Sequence, residues 1–139
     1  DQDIKNLYNR IRLIKFPRVC DERGNLGFVE GGHHIPFDIA RIYYLYDIPA
    51  NASRGGHAHK KLERVIFALS GSFRVIVDDG KQKQEYWLKD PHEGLYINQL
   101  VWTDLDAFSP NAVCAVLASH RYDEEDYYRD YNEFLDAVL

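Results

Sequence analysis

The sequence predicts an all-β fold, a sandwich or barrel of eight or more short strands, followed by one C-terminal helix. Three observations carry that reading. Short runs rich in β-branched and aromatic residues recur at intervals of roughly 8 to 12 residues. Turn signals separate them, the strongest being Asp79-Gly80. The last stretch, "DEEDYYRDYNEFLDAVL" at 123–139, abandons the two-residue period for helical spacing.

Taken in order, "IRLIKFPRV" (11–19) reads as a strand and "DERGN" (21–25) as a turn. "LGFVE" (26–30) alternates, with Leu26, Phe28 and Glu30 on one face. A loop at 31–38 leads into "IARIYYLYDIP" (39–49), a strand closed by Pro49, and "ANASRGG" (50–56) is a loop. "ERVIFALS" (63–70) and "SFRVIVDDG" (72–80) are strands on either side of Gly71, and "KQEYWLKD" (83–90) completes a hairpin. Residues 94–109 hold two short strands, and "AVCAVLASH" (112–120) is the last. In the final segment Tyr127, Tyr131, Phe134, Leu135 and Val138 fall near one helical face; the acidic residues face solvent.

A chain of 139 residues with 45% hydrophobic content suffices for one domain, spanning 1–139, with one core. A net charge of −5 excludes a nucleic-acid surface, which needs a basic stripe. It leaves room for a few basic groups around one phosphorylated ligand. No apolar run reaches the roughly 18 residues of a membrane span. There is no signal-peptide pattern, and the start at Asp1 points to a trimmed numbering. Cys20 and Cys114 form no CxxC pattern, and Cys114 lies in an apolar run. Both read as free thiols in a reducing, cytoplasmic setting.

The chemistry begins at His57 and His59. On a strand, residues two apart point the same way, so both imidazoles share a face and Ala58 takes the other. Imidazole titrates near 6.5, which suits a group that accepts and returns a proton at neutral pH.

The spacing His57-x-His59-x-x-x-Glu63 followed by Gly71 resembles the first motif of the cupin superfamily of jelly-roll barrels. Metal-binding cupins add a third histidine from a later strand pair. Here that segment is "GLYINQLVWTDL", with Thr103 near the position, so a metal is the weaker reading and proton transfer the stronger.

The segments "IPFDIARIYYLYDIP", "RGGHAHKKLE", "LSGSFRVIVDDG", "GLYI", "VW", "VLAS" and "YDEEDYYRDYNEF" together resemble the WxcM-like sugar 3,4-ketoisomerases, and the likeness runs from about Asp21 to Phe134. The resemblance implies a small cupin barrel and a homodimer. The substrate it implies is dTDP-4-keto-6-deoxyglucose, converted to its 3-keto isomer on the way to 3-amino-3,6-dideoxy sugars of surface glycans. It also implies no metal and no cofactor. Its catalytic pattern falls on His57, as the base at C3, on His59 and on Tyr43. Arg41, Arg54 and Lys60 are then candidates for the diphosphate, since a guanidinium fork matches phosphate oxygens, and Trp102 for packing on the sugar or base. Relatives often carry a histidine where this chain has Thr103. His33 and His34 read as surface residues. Three readings compete: a related nucleotide-sugar epimerase, whose class usually carries a His–Asp base pair and a tyrosine acid; a non-catalytic sugar-nucleotide-binding cupin; and a metal-dependent dioxygenase-type cupin.

Overall fold

The structure, a computed structural model, describes residues 10–139. The strands are β1 (Ile11–Lys15), β2 (Arg18–Asp21), β3 (Gly24–Gly27), β4 (Arg41–Leu45), β5 (Arg54–His59) and β6 (Arg64–Ser70). They continue with β7 (Phe73–Asp78), β8 (Lys83–Leu88), β9 (Glu93–Ile97), β10 (Trp102–Asp106), β11 (Val113–Ala118) and β12 (Tyr127–Tyr128), and the helix is α1 (Tyr131–Val138). Two five-stranded antiparallel sheets form, in the orders β1-β9-β6-β11-β4 and β12-β5-β10-β7-β8, while β2 and β3 make a separate hairpin.

The core lies between the sheets because alternate residues of each strand point there. Ile66 and Ala68 of β6, Leu95 and Ile97 of β9, and Cys114 and Val116 of β11 meet Phe73, Val75 and Val77 of β7 and Leu105 of β10. The opposite face of the first sheet is covered by Phe16, Ile35 and Phe37 from loops, which pack on Val65, Phe67 and Leu117. This two-sided burial makes β6 nearly continuously apolar.

Several boundaries differ from the sequence expectation, each for a local reason. Pro17, which has no N–H to give a ladder, splits 11–19 into β1 and β2. Of "LGFVE" only Leu26 and Gly27 lie in a strand, because the hairpin partner β2 begins at Arg18, opposite Gly27, and offers no residue beyond it. β5 starts at Arg54, inside the stretch that reads as a loop. The single helix expected over 123–139 is confined to α1. Asp130 stops it from starting earlier: its backbone is extended and its carboxylate accepts from the N–H groups of Asn132 (2.8 Å) and Glu133 (3.2 Å). Upstream, residues Glu124–Asp126 form one 3-10 turn, and Tyr127 and Tyr128 pair with His59 and Ala58.

The helix closes the outer side of the second sheet. Phe134, fully buried, packs with Trp102 and Ala58, and the Tyr131 hydroxyl donates to Asp78 Oδ2 at 2.6 Å. No helix among the described residues is long and apolar enough to cross a membrane.

Candidate active site

The site is organised by a bulge in β5. Gly55 and Gly56 have φ of +93° and +72°, and the register against β10 slips between Thr103 and Asp104. A Cβ on Gly55 would lie 2.7 Å from the Thr103 carbonyl oxygen, so the close approach of the two strands requires glycine. This explains the Gly-Gly before the histidines. Beyond the bulge, alternation resumes with His57 opposite Thr103.

The two imidazoles do share one face. Their rings meet edge to face with centroids 5.1 Å apart. Tyr127, delivered by β12, lies against both, its ring 5.1 Å from His57 and 4.4 Å from His59. His59 is only 1% exposed. Its Nδ1 lies 3.1 Å from Asp126 Oδ2, and that carboxylate is held by the N–H groups of Lys61 (2.8 Å) and Leu62 (3.3 Å). A carboxylate there makes Nδ1 the protonated nitrogen and leaves Nε2 as a lone pair. Nε2 is buried and has no hydrogen-bond partner among the described residues.

His57 lines a cavity of about 80 Å³ together with Tyr43, Arg54, Arg64 and Thr103, over a floor of aliphatic side chains. Burial pushes the His57 imidazole down to about 3, the Arg64 charge adds to this, and a hydrogen bond to the Gly55 backbone opposes it. His59 is pushed down further by burial, then by Arg64 and by His57. Both rings are therefore neutral bases at pH 7, not groups poised at their midpoint. Burial raises the Tyr43 phenol, so it is a proton donor at neutral pH.

Arg41 stacks over Tyr43 (5.0 Å) and Tyr122 (5.6 Å), and its buried Nε and Nη2 have no hydrogen-bond partner among the described residues. Two unpartnered guanidinium nitrogens suit an anionic oxygen. Arg54 is exposed at the cavity rim. Lys60 and Trp102 are not brought to the cavity. One position beyond His59, Lys60 points to the other face, with Nζ 5.0 Å from the Tyr128 ring. Trp102 lies beneath α1, against Tyr131 and Phe134 at 5.2 and 5.7 Å.

Glu63 does not join the histidines. Its carboxylate accepts from the Tyr96 hydroxyl, and its N–H donates to Ser119 Oγ. Among the described residues, one group of three could hold a metal: Glu30, His33 and His34, whose ligand atoms lie within 4.8 Å of one another. These lie on the loop before β4, and His34 Nδ1 already accepts the Glu30 N–H at 2.9 Å. A larger cavity, 580 Å³, lies on the outer side of the first sheet between Phe16, Phe28, Phe67 and His92. Asp90 and His92 line it, with His92 Nδ1 3.4 Å from Arg18 Nη1, but the facing pair of imidazoles opens through His57 on the smaller cavity, which is the one equipped for proton transfer.

Residues 9–139 match the family model described as "FdtA: WxcM-like, C-terminal". The chain belongs to that family. This WxcM-like chain is 47% identical over 123 residues to the TDP-4-oxo-6-deoxy-alpha-D-glucose-3,4-oxoisomerase of Aneurinibacillus thermoaerophilus, covering 88% of each chain. It superposes with a TM-score of 0.91 on the 3,4-ketoisomerase QdtA of Thermoanaerobacterium thermosaccharolyticum in complex with TDP-4-keto-6-deoxyglucose, at 40% identity, covering 93% of this chain and 94% of that one. A more distant likeness, to the rmlC epimerase of Mycobacterium tuberculosis, has a TM-score of 0.73 at 17% identity over 85% of this chain and 67% of that one. That likeness concerns the fold alone, a cupin barrel.

Sequence reasoning about this WxcM-like chain missed Arg64, Asp126 and Tyr127. Arg64 could have been found by alternation: Ile66 and Ala68 face the core, so residue 64 does too. Asp126 and Tyr127 were hidden by the helical spacing of the tyrosines. A His–Asp pair, expected of the epimerases, is present here as His59–Asp126.

Proposed function

We propose that this chain is an isomerase that converts dTDP-4-keto-6-deoxy-D-glucose to the dTDP-3-keto-6-deoxyhexose. The observation that carries the reading is the 47% identity, spread over 88% of both chains, to a 3,4-oxoisomerase of that substrate. The geometry suits the chemistry, because two neutral imidazoles converge beside a tyrosine and two arginines.

The reaction needs a base at C3, whose hydrogen is acidified by the neighbouring C4 carbonyl. His57 takes that proton, and the C–H electron pair becomes the C3=C4 bond of an enediolate with its charge on O4. A proton passes from O3 to O4, for which Tyr43 is placed as a relay. C4 is then protonated as C3 becomes the ketone: the proton His57 took from C3 is returned to C4, with His59 Nε2 as the second acid–base group that can accept it and pass it on, so both imidazoles end neutral. Proton and electron counts balance within the substrate. The cavity holds less than a whole sugar nucleotide, so only the reacting edge of the ring reaches the histidines. The diphosphate extends outward, with Arg41 and Arg54 as its partners. The product has its carbonyl where amination would give a 3-amino-3,6-dideoxy sugar for a surface glycan.

The working unit in this reading is a homodimer. Its support is the apolar surface left on one side: Val19, Leu26 and Phe28 of the hairpin region are 56%, 59% and 42% exposed beside the larger cavity. The free thiols of Cys20 and Cys114 support a cytoplasmic setting.

The His59–Asp126 pair favours one competing reading, an epimerase on the same nucleotide sugar. One experiment separates them. Chelator-treated protein is incubated with the 4-keto substrate in deuterated water and followed by proton NMR. A 3-keto isomer with deuterium at C4 is the expected result, and the C4 coupling reports the configuration. Exchange with inversion at C3 or C5 and no carbonyl migration would make it an epimerase. Absence of any exchange would leave a binding protein.

A further inference from the structure

Arg64 opens β6 with its side chain between the sheets, and it is 2% exposed. Its Nη2 donates to the Thr103 hydroxyl, which donates in turn to the Val101 carbonyl at 3.4 Å. Thr103 Oγ1 is its one hydrogen-bond acceptor among the described residues, and no carboxylate there lies within 4 Å to form an ion pair; the nearest acidic influence is Asp126 through space. Burying a charge without a partner costs several kcal/mol in general. Buried guanidinium groups are therefore normally paired, and this one lines the cavity beside His57 and Tyr43.

We infer that Arg64 is a further catalytic residue, whose guanidinium stabilises the enediolate oxyanion that forms when C3 is deprotonated. The inference rests on the ketoisomerase reading above. Thr103 holds one arm of the fork, leaving the remaining N–H groups for the sugar oxygens. The C4 oxygen carries a partial charge in the ketone and nearly a full one in the enediolate. The attraction is therefore stronger in the transition state than in the ground state, which is the condition for raising kcat. The cavity is small and floored by Leu45, Ile66, Leu105 and Val116, so a sugar seated in it leaves little room for screening water. One positive group thus does two things: it adds to the burial that keeps the histidines neutral, as bases, and it meets the negative charge they create. Arg64 gives Thr103 a purpose as well, as the acceptor that orients the fork.

The test compares wild type with Arg64→Gln and Arg64→Lys, measuring kcat, KM, deuterium exchange at C3 and melting temperature. Arg64→Gln is expected to lower kcat roughly 10²–10³-fold, the range for loss of one oxyanion donor. KM should change only a few-fold. C3 exchange should slow with kcat, because forming the enediolate is the step affected. The melting temperature should hold or rise, since a partnerless buried charge is removed. Arg64→Lys, which keeps the charge but not the fork, should recover part of kcat. A kcat for Arg64→Gln within threefold of wild type would overturn the inference, as would a fallen melting temperature with C3 exchange unchanged, the mark of a structural arginine. Should Arg64→Gln fold poorly, Arg64→Lys decides alone: a folded, fully active lysine variant with a KM defect only would also overturn it. If wild type itself does not isomerise the sugar, the functional reading fails and this inference with it; if wild type is active, the variants judge Arg64 separately.

Discussion

His59 Nδ1 lies 3.1 Å from Asp126 Oδ2, joining β5 to a turn 67 residues later in the chain. The carboxylate is fixed by two backbone N–H groups, so it orients the ring and not the reverse. It also decides which imidazole nitrogen is the base, by holding the proton on Nδ1.

That relationship predicts the effect of Asp126→Asn. The amide oxygen can keep the Lys61 N–H, but the amide nitrogen then faces His59 Nδ1 and donates to it. The proton moves to Nε2, and the lone pair inside the site is lost. Turnover should fall by about 10²–10⁴-fold, the usual range for general acid–base catalysis. Nitrogen-15 shifts of His59 should report the tautomer change independently of activity. An active variant with His59 still protonated at Nδ1 would sink the assignment.

Gly55→Ala should damage the site through the backbone. Its φ of +93° is foreign to alanine, and the added Cβ would lie 2.7 Å from the Thr103 carbonyl. Strain of this kind costs on the order of 1–3 kcal/mol. The strand can escape only by moving away from β10, which takes His57 with it. We expect a lower urea midpoint together with a reduced kcat. Gly24→Ala is the control: its φ is +125° but nothing lies within 4 Å of the added Cβ, and it is outside the cavity. It should cost stability without touching kcat.

How much of this could be read beforehand depended on the range of the contacts involved. The shared face of His57 and His59 follows from a two-residue period, a local property, and was legible. So were the core strands, where alternation and turn residues agree. The helix boundary was not, because Tyr127 and Tyr131 are four apart and satisfy helical spacing by coincidence. Tyr127 instead answers to β5, and only Asp130, as a cap, marks the true start. Trp102 and Thr103 show the same limit. Adjacent on one strand, they face opposite sides, and which side faces the cavity depends on a bulge in the neighbouring strand.

Trp102 gives a prediction that separates packing from binding. It lies under α1 with Phe134 and Ala58, on the face away from the histidines. Trp102→Ala should cost about 3–5 kcal/mol, as for other large aromatic truncations in a core. Trp102→Phe should lower the melting temperature less and leave KM within twofold of wild type. A large rise in KM for the phenylalanine variant, with the fold intact by circular dichroism, would put Trp102 back against the substrate.

The histidines make stability depend on pH in a defined direction. Burial, reinforced by the Arg64 charge, pushes His57 down to about 3, and His59 shifts the same way. In the unfolded chain an imidazole titrates near 6.5. Above that, both states are neutral and the pair contributes no pH dependence. Below it, the unfolded chain takes up protons that the folded one refuses, so stability falls as pH drops from about 6.5 toward 3. Well inside that window each such histidine costs about 1.4 kcal/mol per pH unit. The urea midpoint should therefore be level from pH 8 to 7 and decline from pH 6.5 to 5, above the range where most carboxylates titrate. His57→Asn should make that decline shallower, because one refusing site is gone. The same shift predicts that kcat/KM, which reports the free enzyme, shows no acid limb near 6.5. A midpoint that stays level down to pH 5, or an acid limb of kcat/KM at 6.5 in the wild type, would mean that His57 is solvated and titrates normally, and the description of a closed, neutral base would have to be abandoned.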